Sequence, residues 1–219
     1  MKITKGQLSA LIIIGVILVD QIVKFWVKTS FYLGEDVELT SWFHLLFIEN
    51  NGMAFGMELG SKLALTLFRI VAVTAIIWYL WRIRNRAEAL TGYIACWAMI
   101  AAGAAGNIID CVFYGVLFNN PIPPQLATFL PADGGYAPLF MGKVVDMLYF
   151  PLFSFDWPAW MPWVGGEHFV FFQPIFNIAD ASITVGIFIL LIFYSKHFVS
   201  PSKPDVAETA AYVGNESNE

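Results

Sequence analysis

Asn107-x-x-Asp110 and Asn177-x-x-Asp180 place the same amide and carboxyl pair inside two strongly apolar stretches of a 219-residue chain. At i, i+3 spacing on a helix, each Asn shares a face with its Asp. A carboxylate at membrane depth costs about 2.5 to 3.5 kcal/mol on an insertion scale, so an intramembrane Asp is a candidate functional group unless a structural partner explains it. Asp20 and Lys24 add a second pair, at i, i+4, in the first apolar stretch. Carboxyls gathered in one poorly hydrated pocket cannot all ionise. They share a proton, and one can act as base on water while another, protonated, polarises an amide carbonyl. No other hydrolytic machinery is visible. His44, His168 and His197 lack metal-ligand spacing, and no Ser or Cys stands in a nucleophile motif. Cys96 and Cys111 could make one disulfide, but their placement favours packing or a free thiol.

The elements that must position these groups are membrane helices. Hydrophobic residues make up 58% of the chain and charged residues 13%, and mean hydropathy is +0.66, far from a soluble domain. Four segments, about 7–27, 63–81, 89–110 and 176–194, approach the roughly 20 residues that cross ~30 Å of hydrocarbon. The start resembles a signal peptide, but LSALIIIGVILV runs into Asp20 and Lys24 with no small-residue cleavage site, so it is expected to stay as the first helix. Lys2, Lys5, Arg82, Arg84, Arg86, Lys196 and Lys203 fall on one side of these spans; Lys28, Lys62 and Lys143 fall in the other connections, about 28–62 and 111–175. The positive-inside rule then puts both termini in the cytoplasm and the two long connections outside. The net charge of −5 does not conflict, because acidic residues count little in that rule. In this topology Asp20, Lys24, Asn107, Asp110, Asn177 and Asp180 converge on the outer half of the membrane. Asp146, in the outer connection, can reach the same level.

The fold class expected is an all-α polytopic membrane protein of four helices, with a small external β or irregular platform and an interfacial segment. Residues 1–198 form one membrane-embedded domain, and 199–219 are a polar tail expected to be disordered. TSWFHLLFIEN reads as a short strand or two, and Gly52 as the residue permitting the turn after it. The run Ala101 to Gly106 lets helices approach closely. Between Asp110 and Phe176 lie nine of the eleven prolines and DWPAWMPWVGGEHF, whose Trp157, Trp160 and Trp163 suit the headgroup region of an external lid or platform.

The ordered motifs, Asp20-x-x-x-Lys24, ENNGMAFG, AAGAAGNIID, VVD and FNIAD, together resemble the bacterial lipoprotein signal peptidases, the type II signal peptidase family. The resemblance runs from the first helix to the fourth. It implies a four-helix aspartyl endopeptidase of the inner membrane that cuts prolipoproteins before the diacylglyceryl-modified cysteine. In that pattern Asp146 and Asp180 match the catalytic dyad. Asp20, Lys24, Asn50, Gly52, Asn107, Asp110 and Asn177 match supporting positions. It implies no cofactor, no metal and no nucleic acid; the partners are the lipidated substrates and membrane lipids, and the enzyme is expected to be a monomer. One position departs from the pattern, for Cys111 stands where family members commonly carry Arg. Arg69, about six residues or ~9 Å into the second helix, has two readings. It either snorkels to the headgroups or turns inward and supplies the missing charge to Asp110 or another pocket acid.

Plainer roles exist for each residue. Asp20 could simply pair with Lys24, Asp110 could anchor a helix end, Asp180 could answer a helix dipole, and Asp146 could be a solvated loop carboxylate. A secondary transporter would put such acids nearer the midplane in symmetric, broken helices, and a non-enzymatic assembly factor would tolerate Asp to Asn changes.

Overall fold

The computed structural model describes residues 3–51, 61–86 and 88–198. Gly52 and the polar tail lie outside the described residues.

Helix α1 (Lys5–Ser30) opens with a capping box in which the Thr4 hydroxyl accepts from the Gln7 N–H and the Gln7 side chain accepts from the Thr4 N–H. Helices α2 (Lys62–Ile83) and α3 (Thr91–Leu117) follow, and all three are long and apolar enough to cross a membrane. The fourth expected span is shorter, a 16-residue apolar helix α4 (Ile178–Phe193) followed by a turn of 3₁₀ helix, Ser195–Phe198. Of the apolar window of α3, 61% is buried, against 17% for α1 and for α2, so α3 is the central helix around which the others pack. On α1, α2 and α4, residues such as Ile22, Phe68 and Ile192 remain exposed and face outward as a lipid-facing surface would.

The small-residue run makes the central contact. A Cβ on Gly103 would sit 2.2 Å from the Ala179 carbonyl oxygen, and one on Gly106 would sit 2.8 Å from Asp20 Oδ2. Only glycine lets α3 approach α4 and α1 at that distance. At the far end of the bundle Lys5 Nζ donates to the Arg86 carbonyl at 2.8 Å, and the Tyr93 ring meets those of Tyr194 and His197. The start of α1, the α2–α3 connection and the end of α4 therefore share one end, and it carries Lys5, Arg82, Arg84 and Lys196.

The third helix does not end at Asp110. Nothing in CVFYGVL breaks a helix, and the chain continues through a π-helical turn, Asp110–Tyr114, to Leu117. Single π turns inside α-helices are often found at functional sites.

At the opposite end stands a four-stranded antiparallel sheet in the order β1 (Asp36–Thr40), β2 (Phe43–Asn50), β3 (Val144–Tyr149), β6 (Ile175–Phe176). TSWFHLLFIEN supplies the end of β1 and all of β2, as its alternation suggests. Strands β4 (Phe153–Asp156) and β5 (His168–Phe171) make a separate hairpin, and the Trp-rich segment is its connection. Trp160 is 80% and Trp163 97% exposed there. The part outside the helix bundle is thus two sheets, a larger platform than the sequence suggests, because the pairings of β3 and β6 are non-local.

Candidate active site

The sheet and the bundle meet at a polar cluster that contains Asp20, Lys24, Asn50, Asn107, Asp110, Asp146, Asn177 and Asp180. Its base is Lys24, fully buried, with an ammonium that has three N–H groups and three acceptors: Asp20 Oδ2 at 2.9 Å, Asp110 Oδ2 at 2.8 Å and Asn107 Oδ1 at 2.9 Å. Both carboxylates are also buried, so Lys24 offsets charges that would otherwise be very costly there. Lys24 occupies the centre between the two acids where a cation would sit. Among the described residues no group of three or more His, Cys, Asp or Glu is arranged to hold a metal ion.

Each member of this base reaches a different element. Asp20 Oδ1 accepts the Ala179 N–H at 2.9 Å, satisfying a donor in the first turn of α4. Asp110 Oδ2 accepts the Val145 N–H of β3 at 3.3 Å, and its Oδ1 accepts from Gln21 Nε2 at 2.9 Å. The i, i+4 pairing of Asp20 with Lys24 is present, and the same lysine also secures Asp110.

Above this base two asparagines carry two carboxyls. Asn177 is the N-cap of α4, and Asn177-x-x-Asp180 is a capping box: Asn177 Oδ1 accepts the Asp180 N–H at 2.9 Å and Asp180 Oδ2 accepts the Asn177 N–H at 3.4 Å. Its Nδ2 faces Asn107 Oδ1 at 3.1 Å, the Val145 carbonyl at 3.3 Å and Asp146 Oδ1 at 2.6 Å. Asn107 Nδ2 in turn donates to Asp180 Oδ1 at 2.7 Å. Asn50, at the end of β2, donates to Asp146 Oδ2. The two Asn-x-x-Asp copies therefore do different work. One starts a helix, and the other lies within a continuous helix, where Asn107 reaches Asp180 and Asp110 reaches Lys24 and β3.

Asp146 and Asp180 are thus linked through an Asn177 and Asn107 bridge, and their environments differ. Asp146 is buried, while Asp180 is partly open. Burial, and after it the neighbouring Asp180 carboxylate, push the Asp146 carboxyl up to about 8, outweighing the Asn177 N–H that stabilises its ionised form. At neutral pH Asp146 holds a proton. A buried neutral acid beside a more open carboxyl is the arrangement that splits acid and base roles.

Cys111 is buried and accepts an N–H from Arg69 Nη1 at 3.6 Å, so Arg69 turns inward to the very position where the family pattern has Arg. The cation on Asp110 is Lys24. Cys96 and Cys111 are both free. Two members of the cluster escaped the sequence reading. Gln21 Nε2 also faces Asp20 Oδ2 at 3.1 Å and the Gly106 carbonyl at 3.2 Å, and its Oε1 accepts from Tyr114 Oη at 3.2 Å. A polar residue next to Asp20 in an apolar run was a usable signal for Gln21; Tyr114 lay beyond the expected helix end.

A family model described as signal peptidase (SPase) II matches residues 12–196. The chain belongs to the signal peptidase II family. It is 46% identical over 195 residues to the lipoprotein signal peptidase of Porphyromonas gingivalis, covering 89% of this chain and 86% of that one. It is 36% identical over 183 residues to that of Amoebophilus asiaticus, covering 80% and 72%. A solved bacterial membrane enzyme superposes with a TM-score of 0.55 at 25% identity, covering 84% of this chain and 90% of that one. As a signal peptidase II family member, the chain is a membrane peptidase.

Proposed function

We propose that this peptidase removes signal peptides from prolipoproteins by aspartyl catalysis, cutting the amide bond before a diacylglyceryl-modified cysteine. The observation that carries the reading is the pair Asp146 and Asp180, held by a shared amide bridge at the mouth of an apolar bundle, one buried and protonated, the other partly open. Asp180, with N–H donors on both oxygens and access to the site, takes a proton from water as that water attacks the scissile carbonyl. Asp146 donates a hydrogen bond to the carbonyl oxygen as negative charge develops there. When the tetrahedral intermediate collapses, Asp180 returns its proton to the departing amine. Asp20, Lys24, Asn107, Asp110 and Asn177 fix the two carboxyls relative to α1, α3, α4 and β3.

The enzyme is proposed to lie in the bacterial inner membrane with four spanning helices, both termini cytoplasmic and the dyad at the outer face. The basic residues clustered at the opposite end of the bundle support that orientation. A diacylglyceryl group, at about 0.8 kcal/mol per buried CH₂, keeps the precursor in the bilayer, so the substrate enters laterally. The test is cleavage of lipidated and unlipidated forms of one precursor in the same micelles. Preference for the lipidated form is expected, and equal rates would refute the lipid-dependent reading.

A further inference from the structure

Behind the strand pair that carries Asn50 and Asp146 lies a second buried charge network that the catalytic scheme does not use. In the antiparallel register Asn50 pairs with Val144, Glu49 with Val145 and Ile48 with Asp146. Asn50 and Asp146 are diagonal neighbours on one face, and Glu49, with Val145, points to the other. That other face is apolar, with Phe47, Val145 and Met147 packed against Val27, Phe31 and Phe118.

Glu49 is only 3% exposed in its side chain, and it forms an ion pair with Lys28, 2% exposed. Its second oxygen accepts from Lys143 Nζ at 3.3 Å. The Lys28 ammonium lies 5.2 Å from the Phe118 ring centroid, 5.3 Å from that of Tyr136 and 5.9 Å from that of Phe47, a three-sided aromatic enclosure suited to a cation. Tyr136 Oη also accepts the Lys143 N–H at 2.6 Å, so the enclosure grips the residue just before β3.

A hydrophobic pair would fill this space with less desolvation cost, so stability alone does not account for this ion pair, and the geometry it specifies is the other thing it can supply. The geometry specified is evident along α1. Asp20, Lys24 and Lys28 form one stripe at successive i+4 steps: the first holds α4, the second α3, the third the β2–β3 pair.

We propose that Lys28 and Glu49 are positioning residues for the reaction, fixing β2 and β3 against α1 so that Asn50 and Asp146 meet Asp180. The proposal rests on Asp146 being one of the two reacting carboxyls. A shift of about 1 Å in a reacting group can cost about 100-fold in rate. Loss of the pair therefore lowers kcat with little change in KM, because both side chains are buried out of a substrate's reach.

The experiment compares wild type, Lys28→Met, the double variant Lys28→Met/Glu49→Met and Asp146→Asn, each purified, with a lipidated precursor as substrate. It records kcat, KM and melting temperature. Lys28→Met leaves buried Glu49 with only the partly exposed Lys143 as its cation, so both kcat and melting temperature fall. The double variant restores an apolar interior and regains melting temperature while kcat stays about 10- to 100-fold low and KM stays within about two-fold. Should Lys28→Met fail to fold, the double variant carries the test alone. Recovery of kcat together with melting temperature would overturn the proposal, as would a loss seen only in KM. An inactive Asp146→Asn upholds the dyad independently, whereas an active one removes both the dyad and this proposal.

Discussion

Asp146→Asn should stabilise the protein increasingly as pH rises while abolishing its activity. The ordinary Asp value is 3.8 and the folded value is about 8. Below 3.8 both folded and unfolded carboxyls are protonated and contribute no difference. Between 3.8 and 8 the unfolded carboxyl is ionised and the folded one is not, so the native state loses stability as pH rises, at about 1.4 kcal/mol per pH unit. Above about 8 both are ionised and the loss stops growing. From pH 4 to pH 7 this amounts to at most about 4 kcal/mol, or roughly 10 °C for a chain of this size. The Asn side chain does not titrate, so the gap between variant and wild type widens over that range. Thermal unfolding in mild detergent, followed by tryptophan fluorescence at each pH, measures the gap. The Asp180 carboxylate is the second cause of the upward shift, so the gap between Asp180→Asn and Asp180→Asn/Asp146→Asn should widen less. Parallel curves for wild type and Asp146→Asn from pH 4 to pH 8 would show that Asp146 ionises as an ordinary carboxyl and refute its role as a neutral acid.

Lys24→Met leaves Asp20 and Asp110 buried without their cation and should destabilise the fold by about 3 to 5 kcal/mol, read as loss of accumulated protein and a lower melting temperature. Gly103→Val, whose Cβ would meet the Ala179 carbonyl at 2.2 Å, should push α4 from α3 and reduce cleavage more than tenfold; unchanged cleavage would mean that the contact is not required. Cys111→Arg alone should be impaired because it faces Arg69 across 3.6 Å, whereas Arg69→Gln/Cys111→Arg should recover processing, and equal activity of the two would separate Arg69 from the site. Trp160→Ser/Trp163→Ser should raise KM for a lipidated precursor in membranes while leaving kcat within about two-fold, in keeping with an interfacial role for exposed indoles, and an unchanged KM would remove that role.

The pocket was legible in the sequence because membrane depth makes each polar residue conspicuous. Asp20, Lys24, Asn107, Asp110, Asn177 and Asp180 all fall in apolar runs, and the structure gathers them with Asp146 and Asn50. What could not be read was which partner each would take. The Asn-x-x-Asp copies look alike in sequence, yet one caps α4 and the other lies within α3, because only the Asn177 copy follows a strand and must supply the first turn of a helix. The π turn at Asp110 and the continuation to Leu117 carry no composition signal, and Tyr114 was missed with them. Glu49 and Lys28 were missed for another reason. Each sits where a membrane protein places ordinary headgroup-level charge, and only the register of β2 with β3 turns Glu49 inward. Gly52 lies outside the described residues.

The central claim is that Asp146 and Asp180 together perform the cleavage, and the direct measurement is processing of a lipidated precursor in membranes lacking their own signal peptidase, with wild type, Asp146→Asn, Asp180→Asn and Asp110→Asn at matched accumulation. Wild type should cleave, Asp146→Asn and Asp180→Asn should each be inactive, since a shared-proton pair needs both carboxyls, and Asp110→Asn should retain measurable turnover through its hydrogen bond to β3. Near-normal turnover by Asp146→Asn or Asp180→Asn would contradict the account, and an Asp110→Asn variant as dead as the other two would mean that the wrong pair of acids has been named.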